Sequence, residues 1–477
     1  MNAAGPSPSG ASSGALSRAP SAAPSSPAEF WHSLLRPDVE LAPAYCEDFT
    51  ARLRSARLTF GDRIHCPFLR PFFLDEKDEA RVRAVAETIA VLGERVVAAA
   101  LDSPELLAQV GLSPAEERLA RIEPGYNMAS TASRLDAFLL PDSLQFAEYN
   151  AESPAGLGYA ETLADVFCGL PIMARFEGRF RAHSYSLMAA ILDALLASYR
   201  DWGGTSAKPA IAIVDWRGVP TWSEFEILRE RFEQLGVPTL VADPRDLVFD
   251  GRALSAAGRK IDLVYRRVLI NDIVARPAEC VALVRAYEAR AVCVANTFRC
   301  KIPHKKAFFA VLTDEKNARL FSPVEHELIR KHVPWTRRLE DTRTTHYDEP
   351  IELLDHVRTK RGNFVLKPND EYGGAGVMLG WEMNQREWDA AIERALSESD
   401  RAWIVQERIA VRREIFPYIE PDSGVTMRHM LVDFAPYLFR GKLEGFLTRL
   451  SATGLANVTS GGGQVPAFRV APRSTES

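Results

Sequence analysis

Between residues 211 and 300 the spacing of apolar positions switches repeatedly between two periods. "AIAIVDW" is a continuous apolar run suited to a buried strand, and "SEFEILRERFEQLG" places its apolar residues three and four apart and stops at Gly236, as an amphipathic helix does. "PTLVAD" and "KIDLVYRRV" read as two further strands, "RPAECVALVRAYEAR" as a helix and "AVCVAN" as a last strand. This alternation predicts βαβ units, and hence a small parallel sheet with covering helices.

The flanks are more mixed. Residues 28 to 200 carry helical patterns near 78–101 and 184–200 and an alternating strand, "LQFAEYN", at 144–150. Residues 301 to 470 carry a helical pattern around 385–397, the strand "AWIVQER", and β-type runs at 427–434 and 445–451. No internal repeat is visible. Pro and Gly in "WGGTSAKP" (202–209) mark one boundary and "CKIPHKK" (300–306) another. The expected divisions are a disordered tail at 1–27, a mixed part at 28–204, the βαβ domain at 205–300, a third part at 301–470, and a frayed end at 471–477.

One stretch, "FVLKPNDEYGGAGVMLGWE" (364–382), sets a lysine at the end of an apolar run, then glycines, then a second β-type run. It lacks the P-loop order of residues, and a strand rather than a helix follows the glycines, so it is no dinucleotide fingerprint. It reads as a hairpin whose Gly-rich turn is a flap able to close over phosphates, with Lys367 as a cation before it. The plain alternative is a tight turn in which Gly373, Gly374 and Gly376 serve backbone geometry alone.

Composition narrows the partners. The 477 residues are 47% hydrophobic and 25% charged with a formal net charge of −5, normal for a soluble globular chain and without the basic excess of a nucleic-acid or anionic-membrane binder. A small-molecule partner is expected, with no nucleic acid and no membrane. The first 27 or so residues are nearly all Ala, Ser, Gly and Pro, too poor in apolar surface to offset chain ordering. They lack the pattern of a secretory signal, and no segment approaches the roughly 18 unbroken apolar residues of a spanning helix. The six cysteines form no C-x-x-C pair and the histidines no H-E-x-x-H, so a zinc site is not supported and reduced buried thiols in a cytoplasmic protein are expected.

The segment "SRLDAFLLPDSLQFAEYNAESPAGLG" (133–158) carries more chemistry. If "DAFLL" and "LQFAEYN" pair through a turn at Pro141 and Asp142, Asp136 lies near Glu148 and Asn150, and the i, i+2 rule turns those two to one face. Two carboxylates and an amide oxygen are hard ligands that suit Mg²⁺ better than zinc. Arg134 shares the face of Asp136 and can neutralise a phosphoryl group. Glycine and proline follow at once, which favours a rigid loop over a solvated strand end.

The order R-x-D, then E-x-N, followed much later by the lysine, the Gly-rich hairpin and "WIVQER", resembles the circularly permuted ATP-grasp ligases over roughly residues 55–470. The similarity is to the synthetase domain of glutathionylspermidine synthase and its bacterial relatives. The metal-type motif precedes the lysine and flap, which is the permuted order. The resemblance implies an α/β fold, a circularly permuted ATP-grasp with an inserted small parallel-sheet pre-ATP-grasp-like domain at 205–300.

It also implies roles. Asp136, Glu148 and Asn150 would hold Mg²⁺, and Arg134 would face the reacting phosphoryl group. Lys367 and Lys306, with Lys305 as an adjacent rival, would contact ATP phosphates under the flap glycines Gly373, Gly374 and Gly376. Gln406 and Glu407 would read adenine and ribose. In "LTRLSATGLANVTSGGGQVP", Arg449 and Asn457 would face nucleotide or acceptor, and Gly461 to Gly463 would either approach an anion or serve as a connector. Arg217, Arg266 and Arg267 at strand ends would hold a substrate carboxylate or pair with nearby acids. No amidase domain or catalytic-cysteine signature precedes the synthetase-like region, so a bifunctional arrangement is not expected.

The implied reaction is ATP- and Mg²⁺-dependent ligation of a small-molecule or peptide carboxylate to an amine through an acylphosphate, releasing ADP and phosphate. Such chemistry needs positioning and charge neutralisation more than an acid–base residue. The competing readings are a phosphotransferase without amide formation, a degenerate nucleotide-binding module, and a non-enzymatic interaction protein.

Overall fold

The computed structural model describes residues 26–60, 63–371, 373–398, 402–420, 424–452 and 462–473. Its first helix, Pro27–Leu34, begins at the expected end of the tail. Ser26 and Glu29 form a reciprocal capping box, and Pro27 supplies a first-turn residue whose missing N–H costs nothing. The rest of the tail lies outside the described residues.

Along the chain follow α1 (Glu76–Asp102), β1 (Ala132–Leu139), β2 (Leu144–Asn150), α2 (Leu157–Cys168) and α3 (Leu187–Asp201). Then come β3 (Ile211–Val214), α4 (Trp222–Gln234), β4 (Thr239–Ala242), β5 (Leu263–Arg266), α5 (Val281–Glu288) and β6 (Cys293–Ala295). The last third holds α6 (Lys301–His304), α7 (Ala307–Thr313), β7 (Thr336–Arg338), β8 (Phe364–Pro368), β9 (Met378–Leu379), α8 (Gln385–Ser397) and β10 (Trp403–Glu407). It closes with β11 (Arg412–Glu420), β12 (Gly424–Phe439), β13 (Lys442–Ser451) and β14 (Gly463–Val465).

Three sheets matter for function. The expected parallel sheet is present in the order β6-β5-β3-β4, packed in a core of its own that includes Val214, Val264 and Val294. An antiparallel sheet in the order β7-β10-β8-β9 carries the Gly-rich hairpin and packs on α8 through Trp388 and Ile392. Between them runs a larger antiparallel sheet, β14-β13-β12-β1-β2 with β11 also on β12, whose apolar face includes Phe434, Leu438 and Phe446. Segments more than 270 residues apart thus share one sheet, since Arg134 of β1 pairs with Tyr437 of β12.

One boundary expectation is corrected. Residues 471 and 472 belong to the strand Ala467–Pro472, paired with Phe180–His183, rather than to a frayed end; residues 474–477 lie outside the described set. Residues 300–306, the second expected boundary, carry buried ion pairs. Lys301 is fully buried, with its ammonium 3.0 Å from Glu152 and 2.8 Å from Asp370, and Lys305 lies 2.9 Å from Glu116 and 2.5 Å from Asp370. Arg266, at the end of β5, reaches the same Glu152 at 3.2 Å. The acids that pair with this basic run are distant in sequence.

Burial would raise the Glu152 carboxyl, but Lys301, His304 and Arg266 hold it down to about 2. Removing one member of a buried ion pair strands the other charge, so Glu152→Ala is expected to lower unfolding free energy by roughly 3–5 kcal/mol in denaturant titration. Because the folded pKa lies below the ordinary carboxyl value, this contribution is present above pH about 4.5 and lost as the pH falls toward 2. Stability and acid sensitivity unchanged by the substitution would refute the account.

Candidate nucleotide-binding cleft

The floor of the cleft is built by β1 and β2. Their register sets Asp136 opposite Glu148 and Arg134 opposite Asn150, so all four side chains leave one face of the sheet, as the i, i+2 spacing requires. Residues 140–143 make the turn between the strands, closed by the Leu140 N–H on the Ser143 carbonyl at 2.8 Å.

Asp136 and Glu148 line the cleft together with Lys306 and Lys367. Lys306 stands 3.3 Å from Glu148 and also donates to the Glu371 carbonyl. Lys305, its rival, is turned away into the pairs with Glu116 and Asp370, so Lys306 is the lysine at the cleft wall. Lys367 donates to Gln406 Oε1 at 2.6 Å and to the Ala147 carbonyl at 3.1 Å. Burial depresses the Lys367 ammonium to about 8; Glu148 opposes the shift, Lys306 adds to it and Asp136 opposes it.

The roof is the hairpin. Gly373 and Gly374 line the cleft, and Gly373, Gly374 and Gly376 all have positive φ, at 65°, 76° and 73°. At Gly376 a Cβ would also lie 2.8 Å from the Pro368 ring, so glycine is needed there on two grounds. The tip is exposed while the base is pinned. Asn369 accepts the Lys306 N–H on its carbonyl at 2.9 Å and the Ala307 N–H on its side chain at 2.8 Å.

The far end of the cleft is apolar, with Val365, Leu379, Trp381, Ile409 and Val411. Glu407 sits beside it, 3.3 Å from His346 and bonded by the Tyr347 hydroxyl. Gln406 is buried, bridging Lys367 and Thr336. The cleft therefore brings together an apolar patch, two lysines and a group of carboxylates.

At that charged end lies a residue the sequence reading did not single out. Asp433 of β12 lines the cleft, is 1% exposed, and accepts from Arg449 Nε at 2.6 Å across the β12–β13 register. Arg449 also donates to Asp136 at 2.5 Å. Burial pushes the Asp433 carboxyl up; Arg449 opposes this and the Asp136 charge adds to it. Arg134 and Arg449 hold Asp136 well below the ordinary carboxylate range despite its burial.

Not every expected residue reaches the cleft wall. Arg134 lies behind Asp136, 2.9 Å from its carboxylate and 2.9 Å from the Ala155 carbonyl, and Asn150 is outside the lining. Asn457 and Gly461 lie outside the described residues, and Gly463 is part of β14, paired with Leu450. The strand-end arginines are already partnered: Arg266 with Glu152, Arg217 with Asp246 at 2.6 Å, and Arg267 with the Pro154 carbonyl at 2.7 Å.

The donor chemistry fits Mg²⁺. Among the described residues no three His, Cys, Asp or Glu side chains form a ready-made cage, but Mg²⁺ commonly takes one or two carboxylates plus substrate phosphates. Asp136 and Glu148 are hard oxygen donors facing the cleft, and Asp433 Oδ1 is buried there without a hydrogen-bond partner.

Residues 141–458 match the family described as circularly permuted ATP-grasp type 2. The chain belongs to that family. The match takes in Glu148, both cleft lysines, the Gly-rich hairpin, Asp433 and Arg449, while Arg134 and Asp136 stand just before it. The ATP-grasp chain is 26% identical over 347 residues to an uncharacterised protein of Mycobacterium tuberculosis (strain ATCC 25618 / H37Rv), covering 69% of this chain and 58% of that one. It therefore spans less than two thirds of the mycobacterial relative. A Frankia alni protein named as a candidate glutamate–cysteine ligase 2-3 is 27% identical over 276 residues, 55% of this chain and 29% of that one. Among solved structures, a glutathione synthetase-like effector from Globodera pallida in apo form superposes with a TM-score of 0.60 at 13% identity, covering 92% of this chain and 99% of the other, which shows a shared fold. No helix among the described residues is long and apolar enough to cross a membrane.

Lys367 gives the site a direct titration test. NMR of labelled lysine side chains is expected to show one ammonium with a midpoint near 8, absent in Lys367→Met. All lysines titrating at about 10.4 would refute the depressed value.

Proposed function

We propose that the protein is an ATP- and Mg²⁺-dependent carboxylate–amine ligase. What supports this best is the single cleft that is lined at once by an apolar patch, by two lysines and glycines of the hairpin, and by the facing carboxylates Asp136 and Glu148. These linings suit the base, the phosphates and the metal of one bound nucleotide.

The base packs in the slot near Trp381, with Glu407 and the adjacent backbone for polar contacts. Lys306 and Lys367 neutralise the phosphates, and Arg134 positions Asp136 from behind. Bound at Asp136 and Glu148, Mg²⁺ supplies charge neutralisation at the transferring phosphoryl group. In the first step a substrate carboxylate oxygen attacks the γ-phosphorus and the bond to the bridging oxygen breaks, releasing ADP. In the second, the amine nitrogen attacks the acyl carbon, the carbon–oxygen bond to phosphate breaks, and a proton leaves the nitrogen. The flap excludes water, which would otherwise hydrolyse the acylphosphate.

Glutamate and cysteine are the first pair to test, following the name of the Frankia relative. Repeated turnover of ATP to ADP is expected only with acid and amine together, with a mass-detected amide as product. ADP release without amide would favour a phosphotransferase, and ATP binding without turnover a nucleotide-binding module. Glu148→Gln is expected to abolish Mg²⁺-dependent turnover while leaving the unfolding transition in place; full activity would remove Glu148 from the metal site.

Lys367→Met is expected to weaken ATP binding by about 1.5–3 kcal/mol in calorimetry, the scale of a charge-assisted hydrogen bond. The sign of the pH effect follows from the lowered value. Phosphate contact favours the ammonium and raises its pKa, so binding takes up a proton above pH about 8 and affinity falls as the pH rises beyond that point. Affinity independent of pH between 7 and 9.5 would count against the Lys367 contact.

A further inference from the structure

We propose that the Arg449 guanidinium is an internal placeholder for the divalent cation, held between Asp136 and Asp433 in the metal-free protein and released when the cation takes up their charge. The proposal rests on the magnesium dependence of the ligase reading. It assigns Asp433 to the cation site and gives Arg449 a role that its place near the nucleotide alone does not imply.

Strand register supplies the first observation. Gln464, Arg449 and Asp433 stand directly opposite one another across β14, β13 and β12, so their side chains share a face, the one from which Asp136 also projects. Arg449 Nη2 lies 2.5 Å from Asp136 and Nε 2.6 Å from Asp433, so one guanidinium serves carboxylates from two strands. Without it, two buried acids on that face would lose a shared counter-charge.

The bridge is also incomplete. Asp433 Oδ1 and Gln464 Nε2, on either side of Arg449, are both buried without a hydrogen-bond partner, in residues 1% and 2% exposed. A permanent structural ion pair would be expected to satisfy its buried oxygens. An unpartnered buried oxygen on a residue that lines the cleft suits a hard cation. A guanidinium and a dication cannot both sit between the same two carboxylates without strong repulsion at low dielectric, so occupancy by one opposes the other. The Arg449 side chain is 17% exposed at the cleft wall, which leaves it a way out.

The test uses Mn²⁺ as probe, with free Mn²⁺ read by electron paramagnetic resonance on the full chain without nucleotide. Arg449→Gln is expected to bind Mn²⁺ at least about tenfold more tightly than wild type, the scale of one lost competing charge-assisted contact. Adding Asp433→Asn to that variant is expected to abolish the gain. Thermal unfolding of Arg449→Gln is expected at a lower temperature in chelator and to be restored by Mn²⁺ by a larger shift than in wild type. Equal affinity in wild type and Arg449→Gln, with binding measurable, would overturn the placeholder while leaving the magnesium reading intact. Should Arg449→Gln fail to fold, Arg449→Lys, which keeps the charge but not the two-pronged reach, is expected to show a smaller gain; a wild-type affinity there would overturn the proposal. No Mn²⁺ binding by wild type or variant, even with ATP, would overturn the magnesium reading and the placeholder with it.

Discussion

The buried carboxylate of Glu152 ties the molecule together. It follows β2 by two residues and binds Arg266 at the end of the parallel sheet, Lys301 in α6, and the Ile270 N–H. Such a group is tolerated only where cations and donors surround it on all sides. The arrangement therefore constrains three segments to meet at one point. Lys301 carries the constraint onward to Asp370, so the base of the glycine-rich hairpin is fixed to the end of the strand that bears Glu148.

The loop after β2 is stapled residue by residue. Ser153 donates to the Arg267 carbonyl, Pro154 accepts from Arg267, Ala155 accepts from Arg134 and from the Tyr437 hydroxyl, and the Gly156 N–H meets Glu224. Together these bonds join the loop to Arg267, Arg134, Tyr437 and Glu224. The rigidity places the site carboxylates on a fixed floor, whereas the glycine tip above them is exposed. A fixed floor under an exposed glycine turn suits ordered phosphate chemistry, since positioning must survive while substrates enter and leave.

The legible parts of the site were those with local signatures. The alternation in "LQFAEYN" and the short turn before it sufficed to bring Asp136, Glu148 and Asn150 to one face, and the glycines after Lys367 sufficed for the hairpin. Asp433 shows why other parts were hidden. Within "LVDFAPYLF" it reads as one acid in an apolar strand, and its partner Arg449 becomes apparent only through the β12–β13 register. Arg266 is the converse case: it sits where ligand arginines often sit, but an acid 114 residues upstream already holds it. Lys305 and Lys306 are neighbours with the same local context, and only the distant acids Glu116 and Asp370 separate their roles. Charge pairing over long sequence separations has no period and leaves no trace in local composition.

The charged groups around the cleft carboxylates already have partners: Lys306 has Glu148, Asp136 has Arg134 and Arg449, Asp433 has Arg449, and Lys367 has carbonyl and amide oxygens. A polyphosphate with its cation brings both signs of charge, so it can take over these partnerships rather than add to them. Exchange of this kind limits the cost of holding several charges in a low-dielectric site before substrate arrives. It also makes affinity depend on the whole set. A ligand carrying only the anion would leave Asp136 and Asp433 without a new partner, and a cation alone would release Lys306 and Arg449 into a cleft with nothing to bind.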